Sequence, residues 1–164
     1  MDVFTRPLYK DLFVDSLNYC ICHKGLKVYS WVLMTNHAHL VIGTEGEKME
    51  FILRDLKKFT ATRIFELISN GGFESRDWIR PMMEFEGRKN PNNKVFQFWQ
   101  HTNHPIELWK DEMIIQRINY IHQNPVRAGF VSKAEDWLYG SAKDYIGERG
   151  LVTVEVLPEL MIKV

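Results

Sequence analysis

Two histidines one residue apart, His37 and His39, are the residues of this chain best suited to chemistry. They lie in an apolar run over residues 31–42, whose β-branched and aliphatic side chains are typical of a strand. Successive side chains of a strand point to opposite faces, so both imidazoles would face the same way. Two neutral imidazoles that converge on one point make a metal site needing one or two more ligands. The same spacing also occurs by chance, so the pair alone leaves an ordinary structural role open.

Tyr120 and Asn124, four residues apart, would share one edge of a predicted helix. We expect this helix over about residues 111–123, because the residue before Pro125 disfavours helical geometry. Its buried stripe would consist of Ile114, Ile118 and Ile121. Tyr120 could pack with its hydroxyl in water, or its phenol could attack a phosphate that a cation neutralises. The amide oxygen of Asn124 could then complete the shell of that cation.

The elements before this helix follow from periodicity and turn signals. A first helix, capped by Thr5 with Pro7 in its first turn, is expected to end at Gly25. Its apolar residues at helical spacing are Leu8, Leu12, Val14 or Leu17, and Ile21. A hairpin should follow, with strands over residues 26–34 and 37–42 joined by a tight turn.

The rest of the chain supplies further helices and one later strand. We expect a helix over residues 49–69, closed by Gly71 and Gly72, and a short helix over 76–85. A polar turn over 89–93 should lead to a strand over 95–99. A final turn and short helix over 137–147 should follow, and then an edge strand or extended tail over 151–156. The apolar face of the long helix would be Phe51, Ile52, Leu56, Phe59, Ile64, Leu67 and Ile68. This order favours an α+β fold with helices on one face of an antiparallel sheet.

Composition and charge bound the class of protein. The 164 residues, 45% of them hydrophobic, indicate one domain over residues 1–164 with a C-terminal extension over about 132–164. The net charge of +0 argues against a large nonspecific nucleic-acid footprint, although residues 54–63 are locally basic. Cys20 and Cys22 would point apart on a helix, so neither a disulfide nor a shared metal is expected. No signal peptide or apolar run of about 18 residues occurs, so we expect a cytoplasmic protein.

Two blocks of sequence resemble the signature blocks of the REP-associated tyrosine transposases. They are residues 34–42 (Met-Thr-Asn-His-Ala-His-Leu-Val-Ile) and 120–129 (Tyr-Ile-His-Gln-Asn-Pro-Val-Arg-Ala-Gly). That family belongs to the single-tyrosine HUH transposases, in which HUH stands for His, hydrophobic residue, His. Residues 52–60, 96–108 and 141–145 are also similar to the family, so the resemblance covers nearly the whole chain.

The resemblance implies a fold, an activity and a set of site residues. The fold would be a ferredoxin-like or RRM-like antiparallel sheet with the catalytic tyrosine on a C-terminal helix. The activity would be metal-dependent cleavage and rejoining of single-stranded DNA at hairpin ends through a 5′-phosphotyrosine intermediate. The implied metal ligands are His37, His39 and Asn124, and the implied nucleophile is Tyr120. Mg²⁺ or Mn²⁺ is the expected ion, and two imidazoles favour Mn²⁺.

The resemblance also implies a hairpin DNA partner with REP-like palindromes, no membrane partner, and a bacterial, nucleoid-associated location; it allows a homodimer. The candidate DNA-binding residues are Arg54, Lys57, Lys58, Arg63, Trp99, His101 and Arg127. At least one of Phe96 and Phe98 is expected to pack in the core. His104 and His122 could contact DNA or simply lie exposed, and we expect the latter.

The chain departs from the family at its N-terminus. Family members usually begin with a further, central strand before the first helix, and this sequence shows none. An unpaired strand edge would then remain in the sheet unless another segment fills it. A domesticated or truncated, noncatalytic hairpin-DNA-binding module is therefore the alternative to the enzyme. A hydrolytic metalloenzyme that uses the histidines without the tyrosine is a third interpretation.

Overall fold

The computed structural model describes residues 1–70, 74–89, 95–100 and 103–158, and it divides into two compact units. The first unit comprises Met1–Ile52 and Glu107–Val164, and the second comprises Leu53–Ile106. The elements are α1 (Pro7–Lys24), β1 (Leu26–Leu33), β2 (Ala38–Thr44), α2 (Met49–Asn70), α3 (Ile79–Arg88) and α4 (Asp111–Arg127), followed by two 3-10 turns at Ala134–Asp136 and Asp144–Ile146. The expected α+β class is confirmed.

The predicted hairpin is confirmed, and it forms a two-stranded antiparallel sheet in the described part of the chain. Leu33 pairs with Ala38, and Leu26 pairs with Thr44 at the far end. The N–H of Met34 donates to the carbonyl of His37 at 2.8 Å, which closes the turn. This short closure fixes the register, and the register decides which face the histidines occupy.

Helix α1 differs from expectation in its cap and in its buried face. Arg6, not Thr5, is the N-cap residue, and it makes no side-chain cap. Leu8 is 44% exposed, whereas the row Tyr9, Phe13, Leu17 and Cys20 is buried. Two apolar rows with the same helical spacing compete here, and burial of the aromatic row removes more apolar area from water. Cys20 and Cys22 are both free, as expected.

Gly25 ends α1 as predicted, and two constraints make glycine necessary there. Its φ of 72° lies in the left-handed region, which L side chains rarely adopt. A Cβ at this position would also lie 2.6 Å from the backbone nitrogen of Gly46. The close approach brings the loop after β2 against the end of α1.

The second edge of β1 is covered by the segment over residues 139–155, which we call the C-terminal segment. Leu33 donates its N–H to Tyr139 at 2.9 Å, and Ser141 donates its N–H to Trp31 at 3.0 Å. Further along, Glu155 donates its N–H to Val28 at 2.8 Å. The predicted final turn and short helix are present, and residues 151–156 form an extended tail rather than a strand. The strand edge that the sequence left open is thus satisfied from within the chain.

Helix α4 continues past the predicted end at residue 123. Pro125 lies inside the helix and is buried with Ile118 and Ile121. Proline has no N–H to donate to the carbonyl four residues earlier, which costs a hydrogen bond. Burial of the ring on the stripe that faces the sheet offsets this loss. The N–H of Ala128 still donates to Asn124 at 2.9 Å, so the helix ends beyond the proline.

One cluster of the core of the first unit lies between α4 and the hairpin. Ile118 and Ile121 pack with Val32 and Val41 from the two strands. The predicted third member of the stripe, Ile114, is partly buried against the same cluster. Helix α1 packs against β1, and successive residues 30–33 of that strand are all buried, so this half of the strand is covered on both faces. Packing on two faces makes the hairpin a rigid platform for what projects from it.

In the second unit, the predicted strand over residues 95–99 is wrong: the described residues there have no regular secondary structure. Phe96 stacks on Phe65 with ring centroids 4.0 Å apart, and Trp99 donates its indole N–H to Thr60 at 2.9 Å. Alternating aromatic residues predict a strand, but no neighbouring strand pairs with them within the described ranges. The aromatic residues pack on α2 instead. Phe96 is thus the one of Phe96 and Phe98 that meets the expectation of packing.

Both helices of the second unit deviate from their predicted patterns. Helix α2 has the expected length, but Phe51 and Phe59 are 40% and 54% exposed, while Ile52, Leu56 and Ile64 are buried. Helix α3 begins three residues later than expected and ends three residues later. The predicted closing glycines and the turn over residues 90–93 lie outside the described residues.

Candidate active site

His37 and His39 lie side by side at the start of β2. Their ring centroids are 4.9 Å apart with the planes at 72°, so both imidazoles face the same way as expected. His37 is exposed and His39 is half-buried. Val41, on the same face of the strand as His39, packs against Ile118 and Ile121. The histidine face is therefore the face that α4 covers.

The neighbouring asparagine orients His37. Nδ1 of His37 lies 2.6 Å from Oδ1 of Asn36. An amide oxygen only accepts hydrogen bonds, so this contact assigns the imidazole proton to Nδ1. Nε2 then carries the free lone pair, as in metal sites where a second group fixes the tautomer of a ligating histidine.

Tyr120 projects from α4 against this pair. Its ring centroid lies 5.6 Å from that of His39, with the planes at 71°. The side chain is 37% exposed, so substrate could reach it. The fold thus brings Tyr120 of α4 against His37 and His39, which lie about eighty positions earlier in the sequence.

Asn124 lies one helical turn beyond Tyr120. Its amide nitrogen donates to the carbonyl of Tyr120 at 2.8 Å. The amide oxygen has no hydrogen-bond partner among the described residues, so it is the atom that could face a cation. Its predicted role as a third ligand stays a prediction.

Two arginines of α4 flank the tyrosine. The guanidinium carbons of Arg117 and Arg127 lie 5.6 and 5.4 Å from the centroid of the Tyr120 ring. Within the described part of the chain, neither arginine has an acidic partner. With Tyr120 and Asn124, they occupy positions spaced by three, four and three residues, which is one face of a helix. This face combines a phenol, an amide and two positive charges, and it favours an anion.

The electrostatics keep both histidines neutral near pH 7. Burial lowers the pKa of His37. Burial also lowers the pKa of His39, and the nearby charges of His37 and Arg117 lower it further. A histidine must be neutral to bind a metal ion, so these shifts favour ligation. Among the described residues no three His, Cys, Asp or Glu side chains cluster for a metal, so an ion here would need the amide of Asn124, water or substrate oxygens.

Two of the predicted DNA-binding residues of α2, Arg54 and Arg63, pair with carboxylates. Arg54 pairs with Asp55 at 2.9 Å, and Arg63 pairs with Glu66 at 2.7 Å. Lys58 is exposed. These contacts leave the predicted roles untested, but they partly neutralise the basic charge of the helix.

The other predicted DNA-binding residues of the second unit take part in its packing. Lys57 donates to the carbonyl of Gln100 and, at 3.0 Å, to Oδ1 of Asn103, and burial lowers its pKa. Trp99 lies edge-on to Phe98 at 4.9 Å. His101 lies outside the described residues.

Sequence reasoning missed two residues. His122 was expected to be exposed, but it is half-buried: Nε2 lies 2.9 Å from Oγ of Ser141, and burial lowers its pKa to about 4. His122 lies on the flank of the apolar stripe of α4 that faces the C-terminal segment. The helical pattern of the sequence does not show that this segment covers it. His104, by contrast, is exposed as expected. Arg117 was not singled out, although its position three residues before Tyr120 was a usable signal.

Comparisons with known proteins give one structural match. No protein-family model matches the chain, and no curated protein matches it. A solved structure of a REP-associated tyrosine transposase bound to a REP hairpin is similar, with a TM-score of 0.53 and 14% sequence identity. The match covers 91% of this chain and 75% of that one. In the described residues, no helix is long and apolar enough to cross a membrane. The structural match shows that the chain shares its fold with a REP-associated tyrosine transposase.

Proposed function

We propose that this protein is a metal-dependent endonuclease and strand transferase that acts on single-stranded DNA at hairpin ends. The observation that carries the proposal is the approach of Tyr120 to His39, 5.6 Å between ring centroids, with His37 beside them. This arrangement supports a phenol nucleophile next to two neutral imidazoles. The fold shared with a transposase that binds a REP hairpin supports DNA as the substrate.

In this proposal, Tyr120 is the nucleophile. Its Oη attacks the scissile phosphorus and loses its proton to water; the phosphorus–O3′ bond breaks, and the leaving oxygen takes up a proton to become a 3′-hydroxyl. The product is a 5′-phosphotyrosine link. Attack by another 3′-hydroxyl reverses the step and rejoins strands. The transfer conserves the phosphodiester energy, so no further co-reactant is needed.

The residues around Tyr120 bind and orient the phosphate. His37 and His39, with Asn124, would hold Mg²⁺ or Mn²⁺, which supplies Lewis-acid charge stabilisation when bound. Arg117 and Arg127 would attract the phosphodiester and stabilise the charge that develops on its oxygens. The contact of Asn36 with Nδ1 of His37 would leave Nε2 as the nitrogen that holds the ion.

The test is formation of a covalent protein–DNA adduct. Labelled hairpins with single-stranded flanks are incubated with the protein and Mn²⁺, and the adduct is separated under denaturing conditions. The wild type and Tyr19→Phe, which alters an exposed tyrosine of α1, should form the adduct, whereas Tyr120→Phe should not. Chelation of the metal should abolish it. Absence of a wild-type adduct across metals and varied substrates contradicts the proposal.

The same assay separates the alternatives. Hairpin binding that survives both His37→Ala and Tyr120→Phe, with no adduct in any metal, would identify a noncatalytic hairpin-DNA-binding module. Cleaved product without a protein-linked intermediate would identify a hydrolytic metalloenzyme.

A further inference from the structure

A buried polar cluster joins α4 to the hairpin. Nε2 of His122 lies 2.9 Å from Oγ of Ser141 and 3.3 Å from Oγ of Ser30. The two serine oxygens are 3.2 Å apart, and both serines are fully buried. Three polar side chains from three segments, α4, β1 and the C-terminal segment, thus satisfy one another. Buried groups paired in this way specify one packing arrangement, because an unpaired member is costly.

The serine side of the cluster is fixed to the strand. The N–H of Trp31 donates to Oγ of Ser141 at 2.9 Å, and the N–H of Ser141 donates to the carbonyl of Trp31 at 3.0 Å. Tyr145 packs against the imidazole: its ring centroid lies 4.9 Å from that of His122 with the planes at 64°, and its hydroxyl donates to the carbonyl of Tyr29 at 2.7 Å. The imidazole therefore connects α4 to a hydroxyl that is anchored on β1.

His122 and Tyr120 lie on opposite flanks of the buried stripe of α4. At about 100° per residue, each is about 100° from Ile121, in opposite directions. Tyr120 faces His39, and His122 faces Ser30 and Ser141. Any rotation of the helix about its axis moves both side chains together. A side-chain tip about 6 Å from the axis moves by about 1 Å when the helix rotates by about 10°.

We propose that His122 is a positioning residue: through its hydrogen bonds to Ser141 and Ser30 it sets the rotation of α4 and thereby holds Tyr120 against His39. This inference rests on the proposed function for its catalytic consequence. A displacement of about 1 Å can lower the rate of a positioned reaction by about 100-fold. The C-terminal segment, which supplies Ser141, then belongs to the machinery that positions the nucleophile.

The kinetic test compares substitutions at position 122 with a control on the same helix. His122→Leu should slow single-turnover adduct formation by about 10- to 100-fold at saturating DNA and Mn²⁺. Its affinity for hairpin DNA should stay within about twofold of wild type, because the long side chains of Arg117 and Arg127 accommodate a displacement of about 1 Å. Asn124 moves with Tyr120, so the rates are compared at a Mn²⁺ concentration that saturates each variant. His122→Gln should recover most of the rate, because its side-chain amide reaches the serine hydroxyls. Gln123→Ala, at an exposed neighbouring position, should match the wild type.

Ser30→Ala provides a milder second variant if His122→Leu fails to fold. It removes the 3.3 Å partner of the imidazole and the 3.2 Å partner of Ser141 but keeps the 2.9 Å contact between His122 and Ser141, so a slowing of about three- to fivefold is expected. A wild-type rate in a folded His122→Leu protein would overturn the proposal, and if that variant does not fold, a wild-type rate in Ser30→Ala would do so. So would a glutamine variant as slow as the leucine variant, or a loss of DNA affinity in the leucine variant that matches its loss of rate.

A second readout does not depend on activity. Nuclear Overhauser contacts between the rings of Tyr120 and His39 should be present in the wild type and in His122→Gln, and lost or weakened in His122→Leu. If the wild type forms no DNA adduct, the proposed function fails, while these contacts still decide the positioning role. Unchanged contacts in a folded His122→Leu protein would refute that role.

Discussion

Helices α4 and α2 both carry basic residues in the sequence, yet the structure gives these charges different surroundings. Arg117 and Arg127 of α4 flank the ring of Tyr120 and have no acidic partner among the described residues. Arg54 and Arg63 of α2 each pair with a carboxylate. Local charge density in a sequence therefore says little about which charges a phosphate can use, since exposed pairs are already partly neutralised.

The two helices also differ in how each is anchored. Helix α4 is held by a titratable side chain, His122, in contact with Ser141. Helix α2 is held in its own unit by Thr60, which is fully buried and accepts a hydrogen bond from Trp99 at 2.9 Å. One anchor responds to acid and the other does not.

Acidification should therefore weaken the first unit through α4. Burial lowers the pKa of His122 to about 4, so between pH 6.5 and 4 the unfolded chain binds a proton that the folded chain excludes. The stabilising contribution is complete above pH 6.5 and is lost as the pH falls towards 4. At about 1.4 kcal/mol per pKa unit, the loss is roughly 3 kcal/mol. Urea titrations of wild type and His122→Gln across this range should show a steeper fall for wild type. Equal slopes would contradict the buried neutral state.

Removing two arginine charges from α4 or two from α2 should show which helix binds the phosphate of the substrate. The double variant Arg117→Gln/Arg127→Gln should slow adduct formation at limiting DNA by about 30-fold, because two groups that stabilise phosphate charge are lost. Arg54→Gln/Arg63→Gln changes the net charge equally and should slow it by less than about threefold. Equal losses in the two doubles would show that net charge, rather than placement, governs the reaction.

The anchor of α2 should have a smaller effect on stability. Thr60→Val keeps the shape of the side chain but removes the acceptor for the indole of Trp99, so the free energy of unfolding should fall by about 1 kcal/mol. Thr62→Val, at an exposed position on the same helix, is the matched control in the same urea titration. A wild-type stability for Thr60→Val would mean that Trp99 is held by packing alone.

Salt dependence gives the finest distinction between the helices. If Arg127 contacts one phosphate, Arg127→Gln should reduce the slope of log binding constant against log salt by about 0.7 for single-stranded DNA. Arg63→Gln should leave the slope unchanged, because Glu66 already pairs with that arginine. Hairpin-binding titrations at several salt concentrations measure both. A reduced slope for Arg63→Gln would show that DNA displaces Glu66.

The sequence predicted the hairpin, the long helix and the helix that bears Tyr120. Periodicity of apolar residues carries this information directly, because one face of each element must be buried. The pairing of His37 with His39 follows from strand geometry alone. Their approach to Tyr120 was expected only through the resemblance between the two sequence blocks and a family, since no local pattern encodes a contact across eighty residues.

The failures have a common physical origin in tertiary packing. The aromatic segment around Phe96 packs on a helix where its alternation predicts a strand. Pro125 stays within a helix because its buried ring offsets the lost hydrogen bond. His122 is half-buried because residues far along the chain cover it. In each case a partner distant in sequence decides between local alternatives of similar energy.

The covering of β1 by the C-terminal segment has a consequence for synthesis on the ribosome. Ser141 lies 110 residues beyond Trp31, and Tyr139 lies 128 residues beyond its partner Asp11 on α1. Contacts of such sequence separation form late, because closing a long loop must precede them. A nascent chain that lacks residues 139–155 has neither the partners for the outer edge of β1 nor the Ser141 hydroxyl that contacts His122. The two histidines and the tyrosine would thus be held together only after residues 139–155 have left the ribosome.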